Sequence, residues 1–236
     1  LKTVWFAGEV FPTKQFNYWK KMLPQAVFAN LYGPIEITLD CIYYIVDKKY
    51  NDEEPLPIGI PCNNTDILIL NDEDQLCRSG EEGEICVRGT SLAMGYYNNP
   101  EKTKAAFVQN PLNHAYPERI YRTGDIASVE EDGLIHFKGR KDSLIKHQGY
   151  RIELGEIEHE IVNNLKLVPN CCVVYDKENK KIVLFYEGKG TTEKEIRKAL
   201  AGSFPRYMIP TVYHEMEELP RNTNGKIDRL KLSTMI

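Results

Sequence analysis

Turn-forming clusters of Asn, Asp and Gly cut residues 51–141 into short strand-prone runs, and this punctuation constrains the fold of the 236-residue chain more than any other feature. DILIL (66–70) and GEICVRG (83–89) are two such runs. Asp132 and Gly133 in EDGLIHFKG (131–139) form a tight-turn signal before a third. A helix over PEKTKAAF (100–107) interrupts them, with Asn99 as its cap and Pro100 in its first turn. Short strands at this spacing predict a small barrel-like sheet. The sequence contains no internal repeat and no low-complexity segment.

The flanking regions read differently. Residues 1–50 run strand, helix, strand, loop, strand. Thr3 to Ala7 is β-prone, Pro12 sits where a first helical turn tolerates proline, and Phe16, Trp19 and Leu23 follow at helical spacing. Ala26 to Ala29 is a second short strand, and the alternation of Ile37, Leu39 and Cys41 predicts a half-buried third. Strands separated by a helix imply an α/β layer. After residue 142 the texture becomes small α+β. Leu154, Ile157, Ile161 and Leu165 mark an amphipathic helix. CCVVY (171–175) and KIVLFY (181–186) form a strand pair, and Thr192 with Glu195 forms a capping box.

Composition narrows the possible functions. Thirty Lys and Arg against 34 Asp and Glu leave a net charge of −4, too mild and of the wrong sign for general attraction to nucleic acid or an anionic membrane. A hydrophobic content of 42% excludes disorder. No apolar run approaches the roughly 20 residues that span a bilayer. The six cysteines form no C-x-x-C pair, and several lie inside apolar runs, which fits buried free thiols in a reducing cytoplasm better than a disulfide framework or a zinc site. The opening LKTVWFAGEV has no signal-peptide layout and no initiator Met, so the chain reads as a piece of a longer protein.

Five segments combine glycine with a polar or aromatic handle: FAGE (6–9), NLYGPIE (30–36), YRTGD (121–125), GRKDSLIKHQGYRIELGEIE (139–158) and NGKID (224–228). Glycine admits close backbone approach, and loops on a rigid scaffold carry binding groups. The first two follow strands, where ligands of open α/β sheets sit. Taken singly, each is an ordinary turn.

In order and spacing the five resemble the second half of the adenylate-forming superfamily. That superfamily includes amino-acid adenylation domains of nonribosomal peptide synthetases, D-alanine–carrier-protein ligases, acyl-CoA synthetases and luciferases. The resemblance runs from residue 1 to residue 236 and takes in PIGIP (57–61), GEICVRGTSLAMGYY (83–97), NNPEKTKAAF (98–107) and FPRYMIP (204–210). NLYGPIE, GYRIELGEIE and NGKIDR are most similar to the amino-acid-activating branch. The resemblance implies a truncated adenylate-forming enzyme fold. Residues 1–141 would be the C-terminal portion of the large N-terminal domain, with 1–50 its α/β part and 51–141 its β-barrel-like part. Residues 142–236 would be a mobile C-terminal lid.

The same resemblance implies the chemistry. Mg·ATP and a carboxylic acid give an acyl-adenylate and pyrophosphate, and a phosphopantetheine thiol on an acyl or peptidyl carrier protein then takes the acyl group. Tyr32 would stack on adenine and Asn30 would read its exocyclic amine, with Gly8, Glu9 and Gly33 lining the base. Asp125 would accept both ribose hydroxyls, beside Arg140. Glu36 would bind Mg²⁺, which takes few protein ligands and keeps waters and phosphate oxygens. Asp142 is the hinge position, and Gly149 lines the pantetheine tunnel of the thioester-forming pose. Lys226 is the catalytic lysine, a flexible point charge suited to charge developing on phosphate. Trp5, Ala7, Leu31, Leu39 and Asp40 are the substrate-pocket positions.

The sequence departs from the family pattern at four places. Ile35 stands where most relatives have Thr, and Gln148 where Arg or Asn is common. Ala7 and Asp40 differ from the D-alanine ligase pattern that FAGEVFP and NLYGP otherwise approach. The family's Gly/Ser/Thr-rich phosphate loop does not occur in the 236 residues. Two alternatives therefore accompany the amino-acid ligase: an acyl-CoA synthetase, which Leu31 and Leu39 would allow, and a non-catalytic carrier-docking domain. Neither nucleic acid nor membrane is expected as a partner.

Overall fold

The computed structural model describes residues 1–141, 143–188, 190–223 and 225–236, so the expected hinge, Asp142, lies outside the described residues. The chain divides into two compact units, residues 1–141 and 142–236.

The first unit opens with strand β1 (Thr3–Ala7), helix α1 (Thr13–Met22), β2 (Val27–Tyr32), β3 (Ile42–Ile45) and the short β4 (Ile60–Pro61). These strands form a sheet in the order β1-β2-β3-β4, with β1 and β2 parallel and the rest antiparallel. α1 supplies the crossover that a parallel pair requires. It buries Phe16 edge-on against Phe28 of β2, with ring centroids 5.4 Å apart, and Ala26, Tyr44 and Val46 complete that core. On the opposite face Trp5, Val27 and Ile45 remain exposed.

A second, curled sheet follows. It comprises β5 (Thr65–Leu70), β6 (Gly83–Gly89), β7 (Phe107–Gln109), β8 (Arg119–Val129) and β9 (Ile135–Arg140), with helix α2 (Pro100–Ala106) between β6 and β7 in the chain. The order is β5-β6-β8-β7, and the long β8 also pairs β9. One edge of β8 thus serves two partners in succession, which bends the sheet in the manner the sequence reads as barrel-like. Asn99 caps α2 by accepting from Lys102 N, and Pro100 stands in its first turn, as the sequence predicts.

The second unit contains β10 (Leu144–His147), β11 (Tyr150–Glu153), α3 (Leu154–His159), β12 (Cys171–Asp176), β13 (Lys181–Glu187), α4 (Glu193–Ser203), β14 (Val212–Met216) and α5 (Arg229–Ser233). β10 and β11 form a hairpin, while β12-β13-β14 form a sheet with β14 parallel to β13. Ile152, Leu154, Ile157, Ile161, Ile196 and Leu200 pack one core. The capping box at Thr192 and Glu195 forms as expected. The helix foreseen through Leu165 keeps α geometry only to His159 and then widens into a π-helical turn over Glu160–Asn164.

The strand expected from Ile37, Leu39 and Cys41 does not form. Ile35–Ile37 is a 3₁₀ turn, Thr38 and Leu39 have φ of +67° and +114°, and the strand begins at Ile42. The loop folds back on itself because Cys41 N donates to Tyr32 O at 2.8 Å. Ile37 and Cys41 are buried by that fold-back, while Leu39 faces solvent, so the apolar alternation at these three positions has no strand behind it. All six cysteines are free, four of them buried.

Candidate nucleotide site

The centre of the site is a bulge. Between β6 and β8, Cys86 pairs with Arg122 and Glu84 with Ile126, so β8 takes four steps where β6 takes two. The extra residues are Thr123 and Gly124 of the TGD stretch, and Gly124 has a φ of +73°. A bulge re-aims the side chains that follow it. Here it is pinned from both sides. Thr123 Oγ1 donates to Ile85 O at 2.8 Å and accepts from Asp125 N at 3.0 Å, and Gly124 N donates to the buried carboxylate of Glu84 at 3.0 Å.

Asp125, next in line, is buried, and donors reach it from two other strands. Tyr32 Oη donates to its Oδ2 at 2.5 Å, and Arg140 Nη1 donates to its Oδ1 at 2.8 Å. Tyr32 comes from the end of β2 and Arg140 from the end of β9, so three strands in two sheets converge on one carboxylate. Burial, followed by the charge of Asp125, pushes the Tyr32 phenol well above the usual tyrosine range, which keeps it a donor at neutral pH. Each carboxylate oxygen carries two acceptor directions, so one carboxylate can take several donors at once. The Tyr32 ring also packs against Phe137 at 6.4 Å, presenting a flat apolar face beside a hydrogen-bonding group.

The loop after Tyr32 depends on Gly33. A Cβ there would lie 1.8 Å from Leu39 O and 2.6 Å from Asp40 Cα, so only glycine lets the 33–40 loop close. Glu36 stands in the 3₁₀ turn, half-buried. Its Oε1 accepts from Tyr96 Oη at 2.6 Å, and its backbone oxygen accepts from Ala93 N at 2.8 Å. Among the described residues no cluster of three or more His, Cys, Asp or Glu exists that could cage a metal. An oriented single carboxylate therefore fits a hard cation that keeps its waters and borrows phosphate oxygens, as Mg²⁺ does, and fits nothing that needs a full protein ligand set.

The remaining expected residues are placed as follows. Gly8, with φ of +86°, and Glu9 are exposed just past β1. Asn30 is buried on the α1 side of the sheet, and its Nδ2 donates to Pro57 O at 2.9 Å. Trp5, Ala7 and Leu31 share the other face, with Ala7 in register with Leu31. Leu39 and Asp40 belong to the 33–40 loop, and burial raises the Asp40 carboxyl. The structure thus gathers Tyr32, Asp125 and Arg140 directly, with Gly33 and Glu36 one turn away. Four contributors escaped the sequence reading: Thr123, Phe137, Tyr96 and Tyr121, the last packed on Phe107 at 4.9 Å. Tyr96, Tyr121 and Thr123 lie inside segments that stood out as motifs, but only the fold reveals what they touch.

Gly149 and Lys226 belong to the second unit. Gln148 and Gly149 both have positive φ, +51° and +86°, and join β10 to β11 in a two-residue turn. Lys226 stands at the exposed end of a hairpin over 219–228. Its N donates to Asn222 Oδ1 at 3.1 Å, and its carbonyl accepts from Asn222 N at 2.8 Å.

The chain belongs to the AMP-binding enzyme family: that family's model matches residues 1–97, and the model of the AMP-binding enzyme C-terminal domain matches residues 156–226. Its fold is that of adenylate-forming enzyme domains. Among curated relatives it is 36% identical to surfactin synthase subunit 1 of Bacillus subtilis (strain 168), over 98% of this chain and 6% of that protein. Among solved structures it resembles Klebsiella oxytoca NpsA in complex with 3-hydroxyanthranilyl-AMSN, with a TM-score of 0.76 and 26% identity over 99% of this chain and 48% of that one. It also resembles holo-AB3403, a four-domain nonribosomal peptide synthetase bound to AMP and glycine, with a TM-score of 0.75 and 30% identity over 97% of this chain and 17% of that one. The chain therefore spans under half the length of each of these proteins. No helix among the described residues is long and apolar enough to cross a membrane.

Proposed function

We infer that this chain supplies the adenosine-binding floor and the lysine-bearing lid of an ATP-dependent, AMP-forming amino-acid ligase, which passes its aminoacyl group to a carrier-protein phosphopantetheine thiol in the cytoplasm. The observation that carries the reading is the convergence of Tyr32 and Arg140 on the buried Asp125. The relatives support it, since one solved neighbour pairs AMP with an amino acid.

In this reading Asp125 accepts the two ribose hydroxyls, and Tyr32 holds that carboxylate while its ring lies along the adenine. Gly8, Glu9, Asn30 and Gly33 frame the base. Glu36, oriented by Tyr96, would hold Mg²⁺, which when bound supplies charge neutralisation at the phosphate oxygens. The substrate carboxylate attacks the α-phosphorus and pyrophosphate leaves. Lys226 spans the incoming carboxylate and an α-phosphate oxygen, where negative charge develops. Trp5, Ala7, Leu31, Leu39 and Asp40 contact the amino-acid side chain. Residues 142–236 act as the mobile lid, swinging at Asp142, and Gly149 then passes the pantetheine arm. Because these 236 residues hold no Gly/Ser/Thr-rich phosphate loop, the reading assigns turnover to a longer polypeptide and none to this chain by itself.

ATP–pyrophosphate exchange by the longer polypeptide, measured against panels of amino and fatty acids, tests the reading. Exchange driven by one amino acid, and abolished by Lys226→Ala, is expected. Exchange with fatty acids alone would assign it instead to acyl-CoA synthetases, and no exchange with any acid would leave a docking domain.

A further inference from the structure

The segment that carries Lys226 is short and polar, and its described contacts with the rest of the unit lie at its two ends. The incoming end is held by Glu187 at the close of β13, whose Oε1 accepts from Leu219 N at 3.0 Å. Within the hairpin, Arg221 and Ile227 form an antiparallel bridge, Arg221 Nη1 donates to Gly225 O at 3.0 Å, and Asp228 N donates to Pro220 O at 2.7 Å. Ile227 packs against the apolar cluster of Cys172, Val174, Phe185 and Leu232.

The outgoing end is held by a charge pair reaching across the unit. Arg229, three residues after Lys226, places Nη2 at 2.7 and 2.9 Å from the two carboxylate oxygens of Glu158 on α3, and Nη1 donates to Val173 O at 2.5 Å. Glu158 Oε1 in turn accepts from Val173 N at 2.6 Å. One guanidinium and one carboxylate therefore lock three elements together: α3, β12 and the start of α5. Glu158 can reach this point because Leu154 and Ile157 on the same helix, and Ile161 in the π-helical turn that follows, are buried and fix its rotation. A planar guanidinium holds its donors toward the carboxylate and the carbonyl in fixed directions, whereas an ammonium is a point charge with rotatable donors on a flexible stem.

We propose that Glu158 and Arg229 are positioning residues for Lys226, an ion pair that sets the outgoing end of the lysine hairpin and so the reach of its ammonium. The proposal rests on the catalytic reading of Lys226 and deepens it. Neither residue touches the reacting atoms. Each acts through the backbone that Asn222, Arg221 and Asp228 tie to Lys226. Removing one partner leaves the other charge half-buried and uncompensated, so the pair fails as a unit.

Two measurements on Glu158→Gln and Arg229→Lys test it. The first is amide hydrogen exchange of the 236-residue chain. Exchange in peptides covering 219–228 is expected to accelerate at least tenfold, with peptides from β13 and α4 unchanged. The second uses the longer polypeptide and separates the half-reactions. Glu158→Gln is expected to lower ATP–pyrophosphate exchange at least tenfold, while transfer from a supplied aminoacyl-adenylate to an acceptor thiol changes less than twofold. Arg229→Lys, which keeps the charge and loses the fork, is expected to fall between. Unchanged amide exchange over 219–228 overturns the proposal, and so does an equal fall in both half-reactions, which marks general destabilisation. Lys226→Ala decides the underlying reading separately. If it keeps full pyrophosphate exchange, the catalytic role of Lys226 falls, while amide exchange still decides whether the pair anchors the hairpin.

Discussion

Replacing Tyr32 by Phe removes one oxygen and leaves the ring, so it isolates the bond from Tyr32 Oη to Asp125 Oδ2, 2.5 Å long. A hydrogen bond to a charged, buried acceptor contributes about 1.5–3 kcal/mol. Asp125 keeps Arg140 at 2.8 Å on its other oxygen, so it is not left without compensation, and the lower half of that range applies. The expected loss is about 2 kcal/mol in the first unit. With a urea slope of about 2 kcal/mol/M, its midpoint falls by about 1 M. Both tryptophans, Trp5 and Trp19, lie in that unit, so indole emission during urea titration reports its unfolding without a contribution from residues 142–236. The cycle with Asp125→Asn and the double variant gives the coupling directly. A coupling below about 0.5 kcal/mol would mean that the two groups do not recognise each other in the folded chain, and the reasoning that builds the nucleotide floor on their contact would be refuted.

Two further outcomes follow from the same geometry. Gly33→Ala is expected to cost about 3 kcal/mol in the same titration, because its Cβ meets only backbone, at 1.8 to 2.7 Å. Gly8→Ala, at φ of +86° and with nothing within 4 Å of the added Cβ, should cost only about 1 kcal/mol, and equal costs would contradict the close-approach argument. Burial also raises the phenols of Tyr32, Tyr44 and Tyr121 above their ordinary value of 10.0. Above that pH the unfolded chain releases protons the folded chain retains, so this contribution to stability is complete below pH 10 and declines above it. Phenolate absorbance should therefore show these three tyrosines ionising only together with loss of structure, and reversible titration of all of them near pH 10 in the folded chain would count against it.

Much of this architecture was legible from the residues, because local rules and tertiary packing agree there. The cap at Asn99, the capping box at Thr192 and Glu195, the turn at Gly133 and the strand pair CCVVY–KIVLFY all obey short-range chemistry that the fold leaves undisturbed. The failure at 37–41 has the opposite cause. Ile37, Leu39 and Cys41 alternate as a strand would, yet the bond from Cys41 N to Tyr32 O and the clearance at Gly33 fold the segment back, and neither is a property of the alternating residues. The site divides in the same way. Tyr32, Asp125 and Arg140 can be named from motif resemblance, but their meeting requires the bulge at Thr123 and Gly124, whose existence depends on how β6 counts against β8. Tyr96 was invisible as a partner of Glu36 because 60 residues separate them. The Glu158–Arg229 pair, 71 residues apart, was hidden for the same reason.

The manner in which β9 ends has a mechanical consequence. Arg140 is in register with Asp125 and bonded to it, and Lys141 N donates to Gly124 O at 2.7 Å while its ammonium lies 3.5 Å from Glu84. The polypeptide therefore leaves the first unit from a bolted mounting, not a frayed thread. A pull applied downstream is delivered straight to the Asp125 carboxylate, and if that carboxylate takes the ribose as proposed, a bound nucleotide would stiffen the anchorage against which the pull acts.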